Sequence, residues 1–122
     1  MPRFSAHIGY LFKDLPLLQR IDAAAACGFK AIEGRFPDGI AADDFRRAAE
    51  RNCVSVLGIN TPTGDAGEFG LGAVPGREEA WRQTFAQALD FVTAVNATAI
   101  HCLSGIVAPE QRGEAERVFV EN

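Results

Sequence analysis

No run of about 18 apolar residues occurs in this sequence, so no segment is long enough to cross a bilayer as a helix. A basic run is also missing. The 12 Lys and Arg are outnumbered by 16 Asp and Glu, for a net charge of −4. Phosphate backbones and anionic membrane surfaces are met by basic faces, so neither nucleic acid nor a membrane is expected as a partner. Cysteine is scarce: Cys27, Cys53 and Cys102 are odd in number, widely spaced and form no CxxC pair. That argues against a disulfide framework or a zinc-ribbon site. All three are expected to be reduced and buried, the common state of a free cysteine. The sequence has no HExxH, no Walker A lysine and no GxGxxG fingerprint. Met1-Pro2-Arg3-Phe4 leads directly into a strand-like segment, with no basic stretch followed by an apolar run, and a cytoplasmic protein is expected.

The remaining content is that of one globular domain: 122 residues, 48% hydrophobic and 23% charged. Four strand-then-helix units follow one another. A strand is expected over Arg3–Ile8, and a helix capped by Asp14 carries Leu17, Leu18, Ile21, Ala24 and Ala25 on one stripe before Gly28 stops it. The second strand spans Lys30–Glu33. Asp43 or Asp44 caps the second helix, whose Phe45, Ala48 and Ala49 face inward while Arg46, Arg47, Glu50 and Arg51 face water. The third strand is Ser55–Ile59. A Gly- and Pro-rich connection over 60–76 precedes a third helix, Glu78–Val95, with Trp81, Phe85, Ala88, Leu89, Val92 and Val95 on one stripe and Asn96 at its end. The fourth strand is Ala99–Leu103, and a fourth helix begins near Gly113.

Strands alternating with helices at this spacing imply a parallel sheet built through right-handed crossovers. An open doubly wound sheet and a closed barrel both satisfy the pattern. The turn after the first strand has a single glycine, Gly9, where a doubly wound nucleotide-binding sheet carries a Gly-rich turn, so the barrel is preferred. A (β/α)8 barrel takes about 250 residues, so the fold expected is the N-terminal half of one, four parallel βα units in one partial domain over 1–122. The sequence is read as truncated at its C-terminus, with unpaired edge strands that invite self-association into a homo-oligomer.

In α/β barrels chemistry gathers where strands end. His7, Glu33, Asn60 and His101 are polar residues at similar points of the four units, where most other strand positions are apolar. Each has a plain structural alternative. His7 can be a hydrogen-bonded ring at the barrel mouth, Glu33 an ion-pair partner of Lys30 or Arg35, Asn60 a cap on loop backbone, and His101 a satisfied core histidine. The long connection is read as a substrate cover. Arg77, at its end, either meets a substrate carboxylate or pairs with Asp65 or Glu68.

Arg3-Phe4-Ser5-Ala6, the segment Ala26-Cys27-Gly28-Phe29-Lys30-Ala31-Ile32-Glu33 with Phe36-Pro37, and Pro62-Thr63-Gly64-Asp65 with Gly67-Glu68 and Gly70 form an ordered set. Pro75-Gly76-Arg77-Glu78 and Val120-Glu121-Asn122 complete it. This set resembles the hydroxypyruvate isomerase and 2-oxo-tetronate isomerase family, whose fold is a xylose-isomerase-like barrel. The resemblance implies a small hydroxy-keto acid substrate and a proton shift beside a carbonyl, interconverting hydroxypyruvate and tartronate semialdehyde. It also implies a divalent metal such as Mg. The family's proton-exchanging glutamates and metal ligands come from later strands, so no catalytic residue and no metal ligand is carried over. His7, Glu33, Asn60 and His101 remain as substrate-binding candidates. The expectation is a fragment inactive alone, or alternatively a non-catalytic half-barrel that pairs with itself or with a separate C-terminal half. Two departures from the family pattern lie near the expected pocket: the abbreviated Asp65-Ala66-Gly67, and Gly34-Arg35 where the family is usually apolar.

Overall fold

The computed structural model describes residues 2–122. The elements run β1 (Ala6–His7), α1 (Leu17–Ala26), β2 (Ala31–Gly34), α2 (Ala42–Arg51), β3 (Ser55–Asn60), α3 (Glu78–Ala94) and β4 (Ala99–His101), and a single 3-10 turn, Pro109–Gln111, leads into α4 (Arg112–Glu121). The four strands form one all-parallel sheet in the order β1-β2-β3-β4. A doubly wound sheet reverses its strand order at a switch point and carries helices on both faces. Neither holds here. α1 packs on α2 and α2 on α3. Ile21 and Ala24 of α1, Phe45 and Ala48 of α2, and Phe91 and Val92 of α3 share one core with Ala6, Ile32, Val56 and Ile59 of the sheet. The helices thus form one layer on one face, which is the arrangement of half a barrel. Phe45, Ile21, Ile32 and Ile59 are almost wholly removed from water. Burial of a side chain of that size stabilises by about 1.5–3 kcal/mol.

The opposite face of the sheet carries no helix. Leu57 is 40% exposed there. Within the described residues β1 and β4 each pair on one side only. This accounts for their shortness: β1 forms a ladder over Ala6–His7 rather than Arg3–Ile8, and β4 over Ala99–His101 rather than on to Leu103, whose N–H donates to the Thr61 side chain instead.

Helix starts also differ from expectation. α1 begins after Pro16, whose ring presets the entry, and Asp14 lies in the preceding turn. Ala41 stands at the N-cap of α2, and Asp43 and Asp44 lie in its first turn, where a carboxylate favours the helix dipole. Arg46 and Arg47 bind Asp43 and hold its carboxyl below the usual range. Leu89, expected to face inward, is 48% exposed. Hydrogen bonds from Asn52 and Arg51 likewise lower the carboxyl of Asp22 and tie α2 to α1. A lowered carboxylate stabilises at neutral pH, and its contribution is lost as the pH falls through the lowered value.

The cysteines correct a second expectation. Cys27 and Cys53 are exposed, and Cys102 is half-buried. Cys27 is the C-cap of α1 and Cys53 follows the C-cap of α2, and helix ends meet solvent. Burial pushes the Cys102 thiol up. Cys53 adopts φ 52°, a left-handed conformation in a position where glycine commonly ends a helix. The left-handed penalty for a residue with a Cβ, about 1–2 kcal/mol, exceeds the entropic cost of glycine, about 0.5–1 kcal/mol. Cys53→Gly is therefore expected to raise stability by about 0.5–1 kcal/mol. A higher urea midpoint at unchanged m-value is the supporting result, and a lower midpoint the contrary one.

Candidate functional site

Side chains alternate across a strand, so one face of a sheet collects every second residue. Ala6 and Ile8, Ile32, Val56 and Ile59, and Ile100 pack toward the helices. His7, Glu33 and His101 fall on the helix-free face by simple alternation. Asn60 does not, because Val56 lies four residues before it and is turned toward the helices. The register supplies the reason. Ile32 pairs with Val56 but Glu33 with Gly58, so β3 skips Leu57 opposite β2. This bulge resets the phase, turns Ile59 to the core and Asn60 to the bare face. A glycine inside a strand, Gly58, is the sequence mark of such a bulge.

All four sequence-derived candidates consequently line one cavity of about 500 Å³, together with Leu57 and Gly58. His7 stands beside Glu33 in the ladder, and Asn60 beside His101. The second pair lies two residues farther along, because Glu33 is level with Gly58. Such a stagger is what tilted strands in a barrel produce. A larger cavity, about 820 Å³, opens at the opposite ends of the strands around Phe4, Lys30 and Leu57. That is the end of a barrel associated with stability, and none of the four candidates lines it.

The plain alternatives for these residues fare unequally. Glu33 pairs with neither Lys30 nor Arg35: it accepts a hydrogen bond from Ser5 Oγ at 2.8 Å. His101 is exposed and not a core residue. His7 Nδ1 is buried without a partner, alone in this among the side-chain atoms of the described residues. The ring packs against Tyr10, centroids 4.5 Å apart, and the Arg35 guanidinium lies 5.1 Å from the Tyr10 ring centre. Gly9 makes room for this stack: a Cβ there would come within 2.8 Å of His7 Cε1 and 3.1 Å of Arg35 Cγ. Tyr10 was not singled out from sequence, since a turn tyrosine carries no local signature, and Arg35 was noted there only as an ion-pair alternative for Glu33 and as a departure from the family pattern.

The 61–76 connection is fastened to the exit of β4. Thr61 is buried, and its Oγ1 accepts the Leu103 N–H at 3.1 Å while its own N–H donates to the His101 carbonyl at 2.9 Å. Gly70 bridges to Ser104, Gly72 N–H donates to the Leu103 carbonyl and Ala73 N–H to that of Ser104. Arg77 binds Glu68 and reaches Asp65 at 3.5 Å, so of its two predicted uses it has the ion pair within the loop. Glu68 also accepts the Asp65 N–H. Among the described residues, no three His, Cys, Asp or Glu side chains converge to hold a metal ion, and no helix is long and apolar enough to cross a membrane.

The sequence profile of the xylose isomerase-like TIM barrel matches residues 21–122. A hydroxypyruvate isomerase of Escherichia coli is 36% identical over 107 residues, covering 86% of this chain and 42% of that protein. A 2-oxo-tetronate isomerase of Haemophilus influenzae is 34% identical over 126 residues, covering 100% of this chain and 48% of its own length. The crystal structure of an AP endonuclease, family 2, from Brucella melitensis superposes with a TM-score of 0.93 at 35% identity, over 99% of this chain and 48% of that one. The chain spans about half the length of the curated relatives it matches.

Proposed function

The chain belongs to the xylose isomerase-like TIM barrel family, and from that premise we infer that it forms the substrate-binding wall of an isomerase acting on a small hydroxy-keto acid, hydroxypyruvate or 2-oxo-tetronate. The convergence of His7, Glu33, Asn60 and His101 on one cavity at the ends of four consecutive strands carries this reading. Isomerisation of such an acid moves a proton between adjacent carbons and builds negative charge on two oxygens of an enediolate. Hydrogen-bond donors placed in advance stabilise that charge. Asn60, His101 and His7 are the donors on this wall. Glu33, held by Ser5, accepts from a substrate hydroxyl.

The proton-exchanging base is assigned to no residue of this chain. The divalent cation implied by resemblance finds no three-ligand set among the described residues, so no step is routed through one. The open edges of β1 and β4 and the helix-free face favour a reading in which activity needs a second set of four units to close the ring. The chain by itself is then inactive.

The test joins this chain to the C-terminal half of the Haemophilus influenzae relative and compares it with the chain alone. Isomerisation of hydroxypyruvate or 2-oxo-tetronate is expected only from the joined protein. There, His101→Ala is expected to lower kcat/KM by about 100-fold, the effect of removing one preorganised donor. Turnover by the chain alone at the rate of the joined protein, or an unchanged kcat/KM in the folded variant, would refute the assignment.

A further inference from the structure

A second, smaller cavity of about 250 Å³ adjoins the first at the exits of the strands, and Asn60 lines both. Its walls include Tyr10, Arg35, Asp38, Thr63 and Phe69. Arg35 is the feature that calls for a ligand. Arg77, the other arginine in the connections that follow β1 to β3, is occupied by Glu68 and Asp65. The Arg20 guanidinium, near the exit of β1, donates to the carbonyls of Leu15 and Ile8. Arg46, Arg47, Arg51, Arg82 and Arg112 pair with carboxylates on the helices. Arg35 makes no such contact; nor do Arg3, before β1, and Arg117, on α4, but of these three only Arg35 lines a cavity at the strand exits. Asp38 lies on the same cavity without forming an ion pair with it.

The Arg35 side chain is nonetheless held in place. Its guanidinium rests over Tyr10, Tyr10 rests on His7, and the absent Cβ of Gly9 admits both His7 and the Arg35 stem. A planar guanidinium on an aromatic face keeps its N–H fork free for a carboxylate, which a flexible ammonium does not reproduce. We propose that Arg35, positioned by Tyr10, is the anchor for the carboxylate of the substrate and the determinant of preference for acids over neutral hydroxyketones. This rests on the substrate class inferred above. The acid group occupies the smaller cavity, and the reacting carbons extend past Asn60 toward His7 and His101. The family is usually apolar at this point, so Arg35 is an anchor particular to this chain.

The test uses the full 122-residue chain in two-dimensional amide NMR titrations, with hydroxypyruvate and with hydroxyacetone, its carboxylate-free counterpart. Saturable shifts at Tyr10, Arg35 and Asn60 are expected with hydroxypyruvate. Arg35→Met, at an exposed position where folding is undisturbed, is expected to weaken that ligand by about tenfold or more, the loss of a charge-assisted pair. Arg35→Lys falls between, and hydroxyacetone binds both variants and the parent alike. Undiminished hydroxypyruvate binding by Arg35→Met overturns the anchor while leaving the substrate wall intact. Conversely, hydroxyacetone binding unchanged by Asn60→Ala and His101→Ala counts against the wall, with the Arg35 effect judged separately. No saturable binding of either compound to the parent chain refutes both.

Discussion

Gly70→Ala is expected to lower stability by about 2–6 kcal/mol, more than any other glycine substitution in the 61–76 connection. Two causes combine. Gly70 has φ 110°, which a residue with a Cβ rarely adopts. An added Cβ would also collide with the side chain and carbonyl of Leu103. The obstacle on one side is backbone, which cannot swing aside. Gly39→Ala provides the control, since it has φ 74° but open space around the added carbon. Strain without collision should cost it only about 1 kcal/mol. For Gly70→Ala the fall in Tm is expected to be roughly 10–20 °C. Hydrogen exchange locates the damage: the Gly72 and Ala73 amides, bonded to Leu103 and Ser104, should lose protection first. A Tm equal to that of Gly39→Ala, with those amides still protected, would contradict the argument. The functional consequence follows from place, because Leu103 and Phe69 line the smaller cavity.

Phe45→Ala carries the second large effect, an expected loss of about 3–5 kcal/mol. Phe45 is 1% exposed and packs edge-on against Phe91, with ring centres 5.5 Å apart. Phe91 in turn meets Phe36 at 5.6 Å. Phe36 lies in the connection after β2, at the wall of the smaller cavity. Truncation at Phe45 therefore leaves a void in the core and removes the backing of a site wall. Domains of this size hold about 5–15 kcal/mol in all, so the variant should be partly unfolded under mild denaturant. Phe45→Leu, which fills more of the void, should recover a good part of the loss. Chemical denaturation of the three proteins checks the order. If Phe45→Ala unfolds at the same denaturant concentration as the parent, the aromatic chain is not what holds α2 to α3.

Much of this was legible one element at a time. The stripe in α3 predicted its length to within a residue, because seventeen helical residues sample the 3.6 period several times over. Gly28 and Asn96 marked helix ends correctly, both with positive φ. The short elements were less legible. A two-residue strand such as β1 has too few positions to show a period, and its extent depends on how many neighbours it pairs with. Asp14, Asp43 and Asp44 are all plausible caps by residue type, and Pro16 and the local backbone decided otherwise. The cysteines misled because burial follows from what packs around a helix end, which residue type does not record. Arg77 was left with two uses, and the loop closing on itself chose one.

The sequence by itself determined the four βα units, the parallel direction of their strands and the polar residue at the end of each. Those follow from local periodicity and chain continuity, which any short window contains. Only the tertiary structure decided which strand lies beside which, that all the packed helices share one face, and that skipping Leu57 turns Asn60 toward His7, Glu33 and His101. It also joined Tyr10 and Arg35 to His7. These are pairings across tens of residues, fixed by hydrogen-bond register and the demand to bury one face of a sheet, and no window shorter than the fold holds both partners.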